Sequence, residues 1–537
     1  MVLGGFFLPA EAAAGGGGPS VASSMAPSGE AEIVLKSVNF PGAAIVPPHD
    51  LTPAWQAYAG KVVSLADLRI IARNVEAIYA RHGYPFVVVT VPPQTVDDGR
   101  VRLEVTEGRI SDLTVLGPDA SARRQATRIF QPLVGMRPLS ASDVERAYAA
   151  ARATPGLAVA GALRRGSSLG GMDLVIETER DPWTVSAGLN NWAAKAVGPW
   201  VGSVQADYFG ASAYGDRASI QASASPDLKA QYAVQGRYER GINAYGTRTS
   251  LSLTAAKANP GGAVAELNLA TNLVASRLEA AQTITDDGLI AISAKGAIET
   301  NDQETLVFGS ERLSRERLRT AALGFEVTLR GERARGLASL EFRKGTKALG
   351  ASAVGDRDLS RASADPQASL VRWRVEGEWR WRGQVLATRL EGQDTAASLT
   401  TPEQYVVGSQ TIGRGYQPGS AFADSAIALS LELRHPGLKL TRSIKAEPFA
   451  FVDGAHLSNP AADTERLFDH RDLVSFGAGV RLDTPGPARI EVLYAVPTRP
   501  PLGLGEKKPA PTVLVGMSIG LKSLASAVLR HGATGAH

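Results

Sequence analysis

Residues 371–382 read VRWRVEGEWRWR, and that segment assigns every side chain to one of two sides. Val371, Trp373, Val375, Gly377, Trp379 and Trp381 fall on one face of an extended chain; Arg372, Arg374, Glu376, Glu378, Arg380 and Arg382 fall on the other. A period of two marks a β-strand with unlike surroundings on its two faces. Charge on one face alone fits a soluble sandwich as well as a membrane wall. Three tryptophans on the apolar face favour a wall that meets lipid. The pattern recurs in Tyr232, Val234, Gly236 and Tyr238 against Gln235, Arg237 and Glu239, and in Phe325, Val327 and Leu329 against Glu326, Thr328 and Arg330. It recurs again in Val474, Phe476, Ala478, Val480 and Leu482 against Ser475, Arg481 and Asp483. From Trp183 to about Leu524, helical periodicity gives way to such runs of roughly 8 to 10 residues, separated by Gly, Asn, Asp and Pro. So many polar faces imply a hydrated interior. Lipid outside then forbids an open edge, because unpaired backbone groups there find no water. The predicted fold of this part is a transmembrane antiparallel β-barrel, in which about 340 residues accommodate about 16 strands.

Composition narrows the alternatives. No run of 18 uncharged apolar residues occurs, so no transmembrane helix is expected. The chain has no cysteine, which excludes disulfides, thiolate-bound metal and thiol catalysis. A formal net charge of +4 over 537 residues is too small for a dedicated nucleic-acid binder. The histidines at 49, 82, 435, 456, 470, 531 and 537 form no metal-binding spacing, and no phosphate-binding loop is present. No enzyme, cofactor or metal site is expected.

The front third has a different grain. Residues 1–30 read as a remnant secretory leader followed by a Gly/Ser/Pro/Ala linker. Residues 32–39 alternate as a strand, and a helical segment spans roughly 51–59. Ser64 then caps an amphipathic helix whose stripe is Leu65, Leu68, Ile71, Val75, Ile78 and Tyr79. Residues 86–91 form a strand ended by Pro92 and Pro93, and residues 101–106 form a third. This β-α-α-β-β order recurs, with strand 110–116, helices 120–130 and 140–152, and strands 157–165 and 171–177. Two copies of one small unit point to tandem modules with an exposed sheet edge.

The series Tyr58-Ala-Gly-Lys-Val-Val-Ser-Leu-Ala-Asp-Leu, Tyr79-Ala-Arg-His-Gly-Tyr84, Pro93-Gln94, Asp98-Gly99 and Glu107-Gly108-Arg109 resembles the first POTRA domain of two-partner-secretion transporters. These form the haemolysin secretion/activation branch of the Omp85 superfamily. The resemblance implies POTRA modules at 31–108 and 109–181 in the periplasm, an outer-membrane barrel over 182–525, and a tail at 526–537. It implies that the pore secretes, and in some relatives activates, a large β-helical exoprotein, and that the barrel assembly machinery inserts it among outer-membrane lipids. An assembly factor of the same superfamily and a diffusion porin remain as alternatives. Candidate cargo-docking residues are Phe86, Val87, Val88 and Val89 on the strand and Leu68 and Ile71 on the helix, where an extended chain would add to a free edge.

Residues 408–434 join the two halves of the reading. A Gly/Ser/Pro-rich loop carries one cation, Arg414, and then enters a strand with Ile427, Leu429, Leu431 and Leu433 on one face and Ala428, Ser430, Glu432 and Arg434 on the other. A loop tucked into a β-structure requires an acidic partner for its arginine. Asp453 offers one, with Phe451 on the same strand face. Arg414-Gly415-Tyr416 resembles the tip of the inward-folded sixth loop of Omp85 proteins, at residues 408–425, and Phe451-Val452-Asp453 resembles their inner-wall motif. Gly413 stands where that family has valine, and Ala455 where it has a second glycine.

Overall fold

The computed structural model describes residues 33–520 except 97, 153, 167–169, 211, 213, 244–245, 409–411, 461–466 and 503–506. The leader and linker at 1–30 and the tail at 526–537 lie outside the described residues. The chain divides into two units, residues 1–153 with 157–180, and residues 154–156 with 181–537.

The first unit contains both small modules. In the first, helix α1 (Leu65–Arg81) starts at a capping box: the Ser64 hydroxyl accepts from the Asp67 amide at 3.3 Å and the Ser64 amide donates to the Asp67 carboxylate at 2.9 Å. Leu68, Ile71, Ala72, Val75, Ile78 and Tyr79 are buried, whereas Leu65, in the first turn, is exposed. The strands are shorter than the alternation suggests. Residues 32–39 yield Ile33–Val34 and Ser37–Asn39, residues 86–91 yield Val88–Thr90, and residues 101–106 divide into Arg100–Arg102 and Glu104–Thr106 around the buried Leu103. Pro85 and Pro92, which bracket the second of these, cannot donate to a ladder. The expected helix over 51–59 is one turn, Pro48–Leu51, followed by two 3₁₀ turns.

The second module contains α2 (Ala120–Phe130), capped by Asp119 accepting from the Ala122 amide at 2.7 Å, and α3 (Ala141–Arg152). Both pack on a three-stranded sheet in the order Arg109–Leu116, Gly171–Arg180, Leu157–Arg165. Ile110, Phe130, Leu174 and Ile176 form its centre.

The cargo-docking candidates of the first module require correction. Leu68, Ile71, Val87 and Val89 belong to its buried core, Phe86 packs against the core of the second module, and Val88 is half-buried. A stripe of apolar residues on a helix that must cover a sheet is spent on that sheet.

The second unit is a closed barrel of sixteen antiparallel strands. They are β1 (Trp183–Asn190), β2 (Val201–Gly210), β3 (Asp216–Ala224), β4 (Gln231–Gly241), β5 (Thr247–Ala258), β6 (Ala270–Asp286), β7 (Ile290–Val307) and β8 (Glu311–Arg330). The second half comprises β9 (Ala334–Gly345), β10 (Ser369–Trp381), β11 (Gln384–Asp394), β12 (Ser425–Arg434), β13 (Lys445–Ser458), β14 (His470–Asp483), β15 (Ala488–Pro497) and β16 (Thr512–Gly520). Each strand pairs with its sequence neighbours, and β1 closes on β16 from Ser186 opposite Gly520 to Asn190 opposite Gly516.

The burial pattern is that of a soluble protein turned inside out. On β12, Ile427, Leu429 and Leu433 are exposed while Ala428, Ser430 and Glu432 are buried. On β8 the outward row Ala321, Leu323, Phe325 and Val327 is exposed. The connections 331–333 and 382–383 are short, and the connections 346–368 and 395–424 at the opposite end are long; short turns mark the periplasmic side of such barrels. Trp183, Tyr208, Tyr238, Trp379 and Trp381 are exposed near the short-turn end, as an interfacial aromatic belt.

Strands β6, β7 and β8, with 17, 18 and 20 residues, exceed the expected length because they run beyond the apolar row. There their outward face becomes charged, with Arg319 bonded to Asp302 and Arg312 to Glu304.

Phe325 is the midpoint of the outward row on β8, so Phe325→Arg places a charge against hydrocarbon. The expected loss is about 2–4 kcal/mol of barrel stability, read from reversible urea unfolding in liposomes.

Candidate functional site

Three adjacent strands build one inward-facing row. Ser430 on β12 lies opposite Asp453 on β13, which lies opposite Ser475 on β14. Asp453 and Ser475 are fully buried, a consequence of what covers them. The connection 395–424 folds back as a two-stranded ribbon, Tyr405–Val407 against Ala421–Ala423, and lays its tip across this row.

Arg414 occupies the centre of the contact and is 5% exposed. Its Nε and Nη2 donate to the two Asp453 carboxylate oxygens at 3.0 and 2.8 Å, and its backbone amide donates to Asp453 Oδ2 at 3.0 Å. Nη2 also donates to the Ser430 hydroxyl at 3.0 Å, and Nη1 to Glu432. The guanidinium lies 3.6 Å from the centre of the Phe451 ring. A planar fork with five donors thus meets two carboxylates, a hydroxyl and an aromatic face, a set that a lysine could not satisfy.

The residues on either side fix the tip. The Gly415 amide donates to Ser475 Oγ at 3.2 Å, and the Tyr416 hydroxyl donates to the Val474 carbonyl at 3.1 Å. A Cβ on Gly415 would lie 2.8 Å from Ser475 Cβ and from the Pro497 nitrogen, so no larger residue lets the tip approach the wall. Tyr416 and Ile412 pack with Val407, Ala428, Ala455 and Leu457.

The two departures from the family pattern acquire physical reasons. Gly413 has φ +81°, the left-handed region in which a β-branched valine is strained, and its carbonyl accepts from the Tyr416 amide at 2.8 Å to close a turn. Ala455 shares the inward face of β13 with Phe451 and Asp453, so the wall motif is in register; Gly454 points the other way into open space.

All five loop and wall residues expected from the sequence, Arg414, Gly415, Tyr416, Phe451 and Asp453, meet at this place. Four further participants were not singled out there. Ser430 and Glu432 are visible only as members of the polar face of β12, and Ser475 and Arg481 as members of that of β14. Arg481 donates to Glu432 at 2.7 Å and to Glu447 at 3.2 Å, and lies 4.1 Å from the Phe449 ring centre. Glu432 therefore carries three cations, Arg414 from the loop and Arg434 and Arg481 from the wall. Glycines give both rings room: a Cβ on Gly477 would stand 2.7 Å from the Phe451 ring, and one on Gly479 2.6 Å from that of Phe449. No group of acidic or histidine residues suited to a metal occurs among the described residues.

A family model described as "Haemolysin secretion/activation protein ShlB/FhaC/HecB" matches residues 170–482, more than half of the chain. The chain belongs to the haemolysin secretion/activation family. A second model, "POTRA domain, ShlB-type", matches residues 33–108. Members of this family are two-partner-secretion transporters of the Omp85 superfamily, not enzymes, with the barrel in the outer membrane and the POTRA modules in the periplasm. Among curated relatives, the heme/hemopexin transporter protein HuxB of Haemophilus influenzae strain 86-028NP is 20% identical over 479 residues, 83% of this chain and 80% of the relative. Among solved structures, CdiB from Escherichia coli aligns with a TM-score of 0.72 at 16% identity, covering 93% of this chain and 92% of that one. CdiB from Acinetobacter baumannii aligns with a TM-score of 0.62 at 12% identity over 93% and 91% of the two chains. These likenesses show that the fold of the family is retained at low identity.

Within this family member, Gly413→Val is expected to weaken tip docking by about 1–3 kcal/mol through backbone strain. A cysteine placed at Ile412 then becomes accessible to a bulky maleimide, while heat-modifiable migration of the barrel is unchanged.

Proposed function

We propose that this chain exports a partner exoprotein through its barrel, and that the buried Arg414–Asp453 contact holds the inward loop in a transport-competent position. The observation that carries this reading is the combination of a closed, polar-lined barrel with a loop tip seated on its inner wall by a desolvated arginine. No nucleotide-binding motif is present in the sequence, so directional movement draws on folding of the cargo outside. The cargo is a large exoprotein, β-helical by family resemblance, and the barrel itself relies on the barrel assembly machinery for insertion.

Cargo capture belongs to an exposed sheet edge, and the second module supplies a better one than residues 86–91. Strand Arg109–Leu116 pairs with Gly171–Arg180 on one side, and a parallel bridge from Ile110 to Val134 occupies the start of the other. Beyond it, a groove of about 820 Å³ runs between this strand and α2, lined by Leu113, Val115, Ala120, Arg124 and Thr127. Main-chain bonds to such an edge bind an extended chain with little demand on its sequence, and the groove takes alternate side chains.

Arg414→Ala removes one partner of the buried pair and takes its cation from Asp453, while Glu432 keeps Arg434 and Arg481. The barrel is expected to remain folded in the outer membrane, judged by heat-modifiable migration. Secretion of the partner exoprotein is expected to fall by about tenfold or more, in line with the cost of breaking a buried ion pair. Undiminished secretion removes the loop from the mechanism.

A further inference from the structure

The inward loop is anchored twice. Besides the tip, its root is fixed by Asp424, the residue immediately before β12, which is fully buried. Every polar atom of Asp424 is engaged. Oδ1 accepts from Arg361 Nη1 at 2.7 Å, from the Leu399 amide at 3.1 Å and from Gln404 Nε2 at 3.0 Å; Oδ2 accepts from Arg361 Nη2 at 3.1 Å. The backbone amide donates to Asn459 Oδ1 at 3.0 Å, and the carbonyl accepts from Gln393 Nε2 at 2.8 Å.

Arg361 comes from a different connection, residues 346–368 between β9 and β10. The same two segments are stitched together by the Asp365 amide donating to the Ser398 carbonyl at 2.8 Å and by the Ser363 and Ser398 hydroxyls 3.1 Å apart. Glu403, just before the ribbon, pairs with Arg343 at 3.0 Å and Arg372 at 2.7 Å, and the Tyr405 hydroxyl donates to Glu391 at 3.0 Å. The root is thus held from the barrel wall and from the neighbouring loop at once.

Glycines in left-handed conformations stand at both exits of the ribbon, Gly408 at φ +95° and Gly419 at φ +78°. Beyond them lies the tip, whose Arg414, together with Glu432 of the wall, borders a lumenal cavity of about 670 Å³. Water can reach the tip lock from that cavity as soon as it parts, whereas parting the root leaves a carboxylate and a guanidinium stranded in a packed seam.

We infer that the loop moves in two parts: the Arg361–Asp424 clamp keeps root and ribbon on the connection 346–368, and release of Arg414 frees only the tip around it, residues 412–418. Asp424 is a positioning residue, setting the place from which Arg414 reaches Asp453. The use of this motion, clearing the bore without loosening the wall, rests on the export reading; the motion itself can be tested without cargo.

The chain contains no cysteine, so single cysteines report cleanly on each part. Ile412→Cys reports on the tip and Ser398→Cys on the root; both positions are buried at rest. Full-length protein in liposomes is labelled with a polyethylene-glycol maleimide. In an Arg414→Ala background, Ile412→Cys is expected to react about tenfold faster or more, while Ser398→Cys stays within about twofold of its resting rate, since local openings expose only the segment that opens. Adding Asp424→Ala is expected to accelerate Ser398→Cys to a similar degree, and Asp424→Asn, which keeps an acceptor for the Leu399 amide, to accelerate it less. Heat-modifiable migration verifies that each barrel is folded; Arg361→Gln gives the same reading should Asp424→Ala fail to fold. The inference is overturned if both cysteines accelerate together in Arg414→Ala alone, or if losing the clamp leaves Ser398→Cys at its resting rate. A chain that shows the two-rate pattern and secretes nothing keeps the two-part loop and loses the export reading.

Discussion

A backbone amide in hydrocarbon has no water to bond to, and the barrel follows from that constraint. Sixteen strands satisfy it by pairing around a ring, from Trp183–Asn190 back to Thr512–Gly520. Once the ring is closed, every strand has one side chain in two facing lipid and the next facing the bore. The bore of this chain is dense with opposite charges. Arg277 meets Glu279, Glu299 and Glu341, and Arg343 meets Glu299, Glu341 and Glu403. Arg343 is buried and Arg277 mostly so, and their carboxylates offset the cost of taking each cation out of water. Their effect is a wall lined by matched charges, beside an apolar patch of Phe449, Phe451, Leu493 and Ala495.

Against such a wall, a seated loop needs one place where charge is taken out of water. Arg414 is that place. Burying a guanidinium costs several kcal/mol, offset only where geometry satisfies its donors and leaves no carboxylate unmatched. Asp453, Glu432, Ser430 and the Phe451 ring supply that geometry, and Arg481 and Arg434 balance the second oxygen of Glu432. A buried pair of this kind is a device for register rather than for bulk stability. It holds the loop in one position, because a displacement of one residue along β13 would present Val452 or Gly454, both facing away.

Periodicity made much of this legible. A period of two decided which side of β10, β12 and β14 faced water before any pairing was known, and Ser64 announced the start of α1. The boundaries of α2 could be read directly. What periodicity lacks is register: Ser430, Asp453 and Ser475 form a row only because of the way β12, β13 and β14 align, and nothing local to any of them states that alignment. It also cannot tell an apolar face that packs inward from one that awaits a partner, which is why Leu68 and Ile71 looked like a docking surface and are core. The same limit applies to Asp424. A lone aspartate at the end of a loop reads as a turn residue, and its partner Arg361 lies 63 positions away.

A lock inside a transporter must also open, and the surroundings of Arg414 bear on how costly that is. Parting the tip does not move its charges into a vacuum or into lipid. Arg414 and Glu432 already border the lumenal cavity, so both rehydrate on release, and Glu432 keeps Arg481 as a partner throughout. The free energy of opening is therefore the difference between the docked contacts and full solvation, well below the sum of the contacts. Asp453 is the group that depends most on the loop, since on the wall itself it has only Ser430 and the neighbouring Ser475 for company. Its exposed carboxylate would then be the strongest pull drawing the arginine back, which makes the wall, rather than the loop, the element that restores the resting position.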